Sequence, residues 1–329
     1  MTAINLSVLD IDYEREADRI ATALRDITAR TLHRRGLVVA ISGGIDSSVS
    51  AALAVRALGA DRVFTLILPE RDSADDSACR ATLLAGHLGV RCETVDIQPT
   101  LAAIGCYQAR DDAVRNLIPQ YGDGWKFKIA IDGGTEGRIN RFRLIAQSPD
   151  GEAHVRDLAL NEYLTIVAAT NFKQRVRKTL EYFHADRLNY AVVGTPNRVE
   201  YDQGFFVKNG DGSADVKPIA HLYKTQVYAM ARHLGLPERI CNAIPTTDTY
   251  SLDQGQDEFY YGLPYKQMDV ALWALNNDKP ASWLAEAIGI SIDRAEATFE
   301  DIRTKRRTTR YLHHPPVLTG NVPELGIAG

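Results

Sequence analysis

The sequence predicts an α/β fold, a doubly wound parallel sheet with a small inserted β-containing lobe and a helical C-terminal part. Three observations lead to it. Apolar, strand-like runs at 37–41, 62–68 and 91–97 alternate with helical stretches at 48–58 and 75–88, and 190–194 adds a fourth strand after a helix at about 160–183. Strands and helices that alternate in this way form a parallel sheet covered on both faces. The rhythm breaks only between about 107 and 157, where Gly122, Gly124, Gly133, Gly134 and Gly137 accompany two alternating runs, and it becomes purely helical after Lys217.

Taken in order, residues 13–34 carry Ile20, Leu24, Ile27 and Leu32 at helical spacing among charged neighbours, and Gly36 ends that element. The first strand, 37–41, then runs into Ser42-Gly43-Gly44-Ile45-Asp46-Ser47-Ser48 and an alanine-rich helix. Within 107–157 the runs 126–131 and 141–147 read as an antiparallel excursion, here taken as an inserted lobe within a single domain spanning 1–329. The later helices are expected at 223–234, 264–276, 282–288 and 292–305, followed by a tail containing proline and glycine.

Composition bounds the function. A chain of 329 residues with 45% hydrophobic residues can build a sizeable core. Its net charge of -4 offers no bulk attraction to nucleic acid, so the expected substrates are small molecules. Cys79, Cys92, Cys106 and Cys241 stand far apart without a C-x-x-C pair, which predicts buried free thiols in a reducing compartment. The first twenty residues contain early acidic side chains and no long apolar run, so no signal peptide or membrane span is expected and the chain reads as cytoplasmic.

The string at 42–48 carries the most chemistry. Two glycines at a strand-to-helix junction let the backbone turn tightly, so that N–H groups and the helix N-terminus can face one anion. Ser42, Ser47 and Ser48 bring hydroxyl donors. Asp46 in an anion-attracting loop makes sense when a divalent cation lies between it and the phosphates, which implies Mg²⁺. The string has neither the lysine of G-x-x-x-x-G-K-[ST] nor the spacing of G-x-G-x-x-G. A second constellation, Gly194-Thr195-Pro196-Asn197-Arg198-Val199-Glu200, leaves the fourth strand, and in an open parallel sheet both loops emerge at the carboxyl ends of strands, where ligands bind. Glu200 is the candidate second carboxylate on the metal. Lys208 and Lys224 are candidates for neutralising phosphate charge.

Together these motifs resemble a known family. The 42–48 string is similar to the pyrophosphate loop of the N-type ATP pyrophosphatases (the adenine nucleotide alpha hydrolase-like superfamily), and 194–200 with 204–215, 222–226, 245–248 and Gln256-Asp257-Glu258 resembles the successive motifs of NAD synthetase. Asn171-Phe172-Lys173-Gln174-Arg175-Val176-Arg177 is similar to the family's arginine-bearing helix, and Lys305-Arg306-Arg307 resembles its basic C-terminal stretch. The resemblance implies a carbon–nitrogen ligase in which ATP adenylates the nicotinate carboxylate of deamido-NAD, pyrophosphate leaves, and ammonia displaces AMP to give NAD. It implies that Ser42, Gly43, Gly44, Ile45, Asp46, Ser47, Ser48, Thr195, Lys224 and Thr246 bind ATP, and that Asp46 and Glu200 hold Mg²⁺. Asp46, Lys224 and Asp211 would act in catalysis, with Asp211 closing over the nicotinate or guiding ammonia. Arg175, Lys208 and Asp215 would face the dinucleotide. A homodimer is implied too.

Departures from the family pattern are Gln174, Lys178, Thr247, Tyr250 and the longer lobe, which reads either as a surface elaboration or as a specificity element. None of the four cysteines sits in a nucleophile-elbow context, so nitrogen is expected as free ammonia or from a separate glutaminase. Two rival readings stay open at this point, an adenylating amide ligase for another carboxylate and a nucleotide-binding protein without turnover.

Overall fold

Period-2 alternation in four short strands organises the molecule. The computed structural model describes residues 6–132, 141–243, 250–252 and 260–320. Helix α1 (Tyr13–Asp26) precedes β1 (Leu37–Ala40), α2 (Ile45–Leu58), β2 (Val63–Ile67), α3 (Asp75–Leu88) and β3 (Arg91–Thr94). Two helices the sequence pattern left unassigned follow, α4 (Gln98–Ala103) and α5 (Cys106–Leu117), before the lobe strands β4 (Lys126–Asp132), β5 (Arg141–Gln147) and β6 (Ala153–Asp157). The 29-residue α6 (Leu160–Leu188) then leads to β7 (Ala191–Val192) and the short α7 (Arg198–Gln203). The C-terminal part comprises α8 (Lys224–His233), α9 (Glu238–Cys241), α10 (Tyr265–Asn276), α11 (Ala281–Ile288) and α12 (Ile292–Thr309).

The main sheet is parallel in the order β3-β2-β1-β7. Leu37, Val39, Val63, Ile67 and Ala191 point to one face, where α1, α2, α3 and α8 bury them, while Val38, Phe64, Leu66 and Val192 point to the other, against α4, α5 and α6. Burial on both faces makes β2 apolar except for Thr65, whose buried hydroxyl donates to the Arg91 carbonyl at 3.1 Å. The order also bears out the doubly wound expectation, since the chain winds outward from β1 to β3 and returns on the opposite side of β1 at β7. A crevice opens between β1 and β7 at their carboxyl ends.

The lobe is a three-stranded antiparallel sheet in the order β4-β5-β6. Phe127, Ile129, Leu144 and Ala146 are buried on its inner face against Val114 and Ile118 of α5 and Ile166 of α6. Residues 133–140 of this lobe lie outside the described residues, as do Thr246, the rest of 245–248, and Gln256-Asp257-Glu258. The helices α10, α11 and α12 enclose a further core with Val199 of α7.

The cysteine expectation is corrected in part. Cys106 and Cys241 are buried free thiols, but Cys79 and Cys92 are exposed. Cys79 sits on the outer side of α3, between the inward Ser77 and Ala81, and Cys92 belongs to the edge strand β3, whose residues are all exposed. Among the described residues no helix is long and apolar enough to cross a membrane.

Candidate functional site

The first site element is the turn from β1 into α2. Gly43 has φ +78°, and a Cβ there would stand 2.3 Å from the Ser77 carbonyl oxygen, so both the backbone and the close approach of α3 require glycine. The loop is held by its own hydroxyls. Ser47 Oγ donates to the Gly44 carbonyl (3.1 Å) and accepts from the Ser42 amide (3.2 Å), while Ser48 Oγ donates to the same carbonyl (2.8 Å). The Gly44 amide donates to Ser42 Oγ at 3.3 Å. Ser48 is wholly buried and Ile45 is anchored in the core below, so Ser42, Gly44, Asp46 and Ser47 form the part of the loop that lines the cleft together with Ile45. Arg80 of α3 donates from Nε to the Gly43 carbonyl at 3.0 Å and itself faces the cleft. Nothing in the 42–48 string pointed to it.

Asp46 lies in the first turn of α2 and Lys224 in the first turn of α8, and the two side chains form an ion pair. Asn197 ties in a third group. Its side-chain amide donates to Asp46 Oδ1 (3.0 Å), its backbone amide donates to Glu200 Oε2 (3.1 Å), and its side-chain oxygen caps α7 by accepting from Val199 and Glu200. This reciprocal capping box explains why a helix as short as α7 forms at all and aims Glu200 at Asp46. Burial, and after it the Asp46 charge, pushes the Glu200 carboxyl up to about 7. The Lys224 ammonium is held well above its usual value, because Asp46 and Glu200 outweigh a burial that alone would lower it.

The main chain under Lys224 is braced from α10. Asp269 accepts from the Lys224 amide (3.2 Å) and the Thr225 amide (2.7 Å), so a residue remote in sequence satisfies the first N–H groups of α8. Burial pushes Asp269 up to about 6, against these hydrogen bonds. Asp211 closes the loop after α7 by accepting from the Val207 amide at 2.8 Å, and burial raises its carboxyl. Thr195 sits at the end of β7, on the same wall.

These groups line a cleft of about 660 Å³ that runs along α6 from Tyr163 to Glu181. Arg177, with Nε donating to the Leu68 carbonyl at 3.1 Å, and the buried pair Lys178–Glu181 (2.7 Å) face it. Arg175, Lys208 and Asp215 are not among its lining residues. Arg175 is exposed and donates to the Lys208 carbonyl (3.3 Å), and Lys208 Nζ donates to the carbonyls of Tyr311 (2.8 Å) and His314 (3.2 Å). Asp215 accepts from the Val192 amide at 2.7 Å, terminating β7. Two residues along a helix is more than half a turn, which is why Arg177 and not Arg175 faces the cleft. Thr246 lies outside the described residues.

A second charged cluster lies behind the cleft wall. Lys173 of α6 bridges Glu70 (3.0 Å) and Asp72 (2.7 Å) in the loop after β2, and Arg110 of α5 reaches Asp72 at 2.5 Å. The Tyr107 hydroxyl donates to Glu70 at 2.9 Å. The cluster is buried and ties the loop of β2 to the two helices beneath the lobe.

The family described as NAD synthase matches residues 16–119 and 150–313. An NH(3)-dependent NAD(+) synthetase of Rhizobium meliloti (strain 1021) is 55% identical over 318 residues, which cover 96% of this chain and 95% of that one. One of Thermotoga maritima is 38% identical over 250 residues, 75% of this chain and 83% of that protein. Among solved structures, NMN synthetase from Francisella tularensis has a TM-score of 0.65 at 22% identity, over 95% of this chain and all (100%) of that one. The NH3-dependent NAD synthetase from Campylobacter jejuni gives 0.62 at 21%, over 94% and 100%. At those identities the structural likeness is one of fold. The family match spans the phosphate loop, α6, α7 and α8, and with it this chain belongs to the NAD synthase family.

Proposed function

We propose that this chain is an ammonia-dependent ligase that converts deamido-NAD to NAD with ATP. The observation that carries this reading is the meeting of Asp46, Asn197, Glu200 and Lys224 beside the glycine-rich loop at the β1–β7 crevice. A carboxylate is a poor electrophile for ammonia, so its oxygen must first bond to the α-phosphorus of ATP as the bond to the β-phosphate oxygen breaks. The loop amides and the Ser42 hydroxyl would hold the phosphates, joined by Ser47 once its proton turns away from the Gly44 carbonyl, and Lys224 would offset the charge gathering on departing pyrophosphate. Ammonia then attacks the carbonyl carbon, the bond to AMP breaks, and a proton is lost. Asp211, buried on the cleft wall, is our candidate for orienting ammonia, and holding both substrates in line supplies much of the rate. Thr195 and Thr246 are kept as ATP contacts.

The donor set fits Mg²⁺. Asp46 and Glu200 are two carboxylates against one ammonium in a buried site, and the Asp46 charge adds to burial in pushing Glu200 up. Beside them the Tyr261 hydroxyl is buried without a hydrogen-bond partner among the described residues. No three His, Cys, Asp or Glu side chains gather into a metal cage among the described residues, so Asp46 and Glu200 would share the ion with phosphate oxygens and water. Bound there, Mg²⁺ supplies charge neutralisation for the phosphates.

Homodimer formation is part of the proposal, and it is supported by exposed Leu160, Leu164, Phe172 and Phe183, which share one side of α6. Arg175, on the same helix, would then meet the dinucleotide near that interface, with Lys208 and Asp215 close by. The net charge and the named relatives support a cytoplasmic protein fed by free ammonia or a separate glutaminase.

The deciding assay supplies ATP, Mg²⁺, deamido-NAD and ammonium. AMP and pyrophosphate should appear in step with NAD, chelation with EDTA should stop turnover, and Glu200→Gln should raise the Mg²⁺ needed for half-maximal rate. Release of ADP, or turnover independent of deamido-NAD, defeats the proposal.

A further inference from the structure

The lobe strand β5 does more than close a surface excursion. Residues 120–149, which hold β4 and β5, fall outside the family match, yet the inner face of β5 leads straight into the cleft. Ala146 and Leu144 are fully buried on that face, and Phe142, the next residue on it, emerges half-buried and lines the cleft. Its main chain is fixed by the Leu158 amide, which donates to the Phe142 carbonyl at 2.9 Å. Its ring stacks on Tyr163 of α6, with centroids 4.2 Å apart and planes at 21°. Tyr250, also on the cleft wall, is held to the lobe twice over: its ring lies 5.3 Å from that of Phe127, and the chain just after it is pinned where the Phe127 amide donates to Ser251 Oγ (2.9 Å) and the Leu252 amide to the Phe127 carbonyl (3.0 Å). The lobe therefore builds an aromatic wall at one end of the cleft.

We propose that Phe142, backed by Tyr163, is the stacking platform for an adenine ring, a specificity-determining contact that the lobe adds to the family's site. The inference rests on the ligase reading above. Glu181 and Asp211 interact electrostatically, as do Asp211 and Glu200, which places the C-terminal half of α6 beside the reacting groups. Tyr163 lies eighteen residues earlier, about 27 Å along the helix. A ring at the lobe end is thus at the far, non-reacting end of its ligand, which excludes the nicotinate and leaves adenine. Of the two adenine-bearing substrates deamido-NAD is the one that fits, because in ATP a single ribose separates the base from the reacting α-phosphate. A flat purine gains from a flat, partly desolvated aromatic face.

The test compares the wild type with Phe142→Leu, which keeps apolar volume and removes the ring, and with Phe142→Tyr, which keeps the ring. Arg143→Ala, on the opposite face of β5, serves as the control. Phe142→Leu should raise KM for deamido-NAD about tenfold, leave kcat within about twofold, and weaken AMP binding by calorimetry to match, while Phe142→Tyr stays near wild type. A rise confined to ATP overturns the assignment. A Phe142→Leu enzyme that behaves as wild type in both KM values and in AMP binding overturns the inference. Wild-type inactivity with deamido-NAD counts against the ligase reading instead, and the AMP titration then decides the platform by itself.

Discussion

The Lys224 ammonium and the Asp46 carboxylate, 178 residues apart in the chain, form an ion pair between the first turns of two helices, with the Lys224 side chain 4% exposed and that of Asp46 16% exposed. Each helix N-terminus would by itself attract an anion. The lysine balances the acidic side chain at the mouth of the crevice. Removing it leaves a poorly solvated carboxylate facing the incoming phosphates, so Lys224→Met should lower turnover at least about a hundredfold. It should also cost about 2 kcal/mol in urea unfolding. The double variant Asp46→Asn with Lys224→Met should recover most of the stability and none of the activity.

Gly43→Ala should disable the loop without touching a polar group. The positive φ alone costs about 1 kcal/mol for alanine, and the new methyl, at 2.3 Å from the Ser77 carbonyl, forces α3 or the loop to move. We expect ATP binding measured by calorimetry to fall at least about tenfold, with overall destabilisation of about 2 kcal/mol. Unchanged ATP affinity would mean that the loop's shape is not what binds phosphate.

Asp72 gives stability a defined acid limb. Burial would raise its carboxyl, but Lys173 and Arg110 hold it down at about 2, against an ordinary 3.8. The folded value is the lower one, so the contribution, about 2 kcal/mol, is complete above about pH 4 and is lost as pH falls toward 2. Asp72→Asn should flatten that limb in thermal melts taken across the range. At neutral pH it should cost about 3 kcal/mol, because Lys173 and Arg110 are each 1% exposed and lose a shared partner.

If α6 forms the interface between two copies, charge placed in its exposed apolar stripe should separate them. Leu164→Glu with Phe172→Glu is expected to halve the mass seen by light scattering, with far-ultraviolet dichroism unchanged. A wild-type protein that is already monomeric at micromolar concentration sinks the dimer proposal.

Much of the fold was legible because buried parallel strands have no polar face to confuse the pattern. The predicted strand at 62–68 contains β2, and 75–88 coincides with α3. Where the pattern was weak, it missed elements for identifiable reasons. The strand β6 is largely exposed, so it shows no apolar alternation, and it exists because β5 offers it a partner edge. The six residues of α7 are too few for periodicity, and the helix depends on a capping box. Tyr107 and the rest of α5 were read as part of the lobe, though the face bearing Cys106 and Tyr107 packs on the main sheet.

The sequence by itself determined the glycine-rich loop, the parallel sheet around it and the candidate pair Asp46 and Glu200, because glycine torsions, strand burial and acidic residues at loop ends are local properties. Only the tertiary structure decided which distant groups complete the site. Asp269 beneath Lys224, Arg80 against Gly43 and Phe142 at the end of the cleft carry no local signal, since their roles come from what other segments place opposite them. The same holds for Arg175 and Arg177, neighbours in sequence that the helical turn sends to different surroundings.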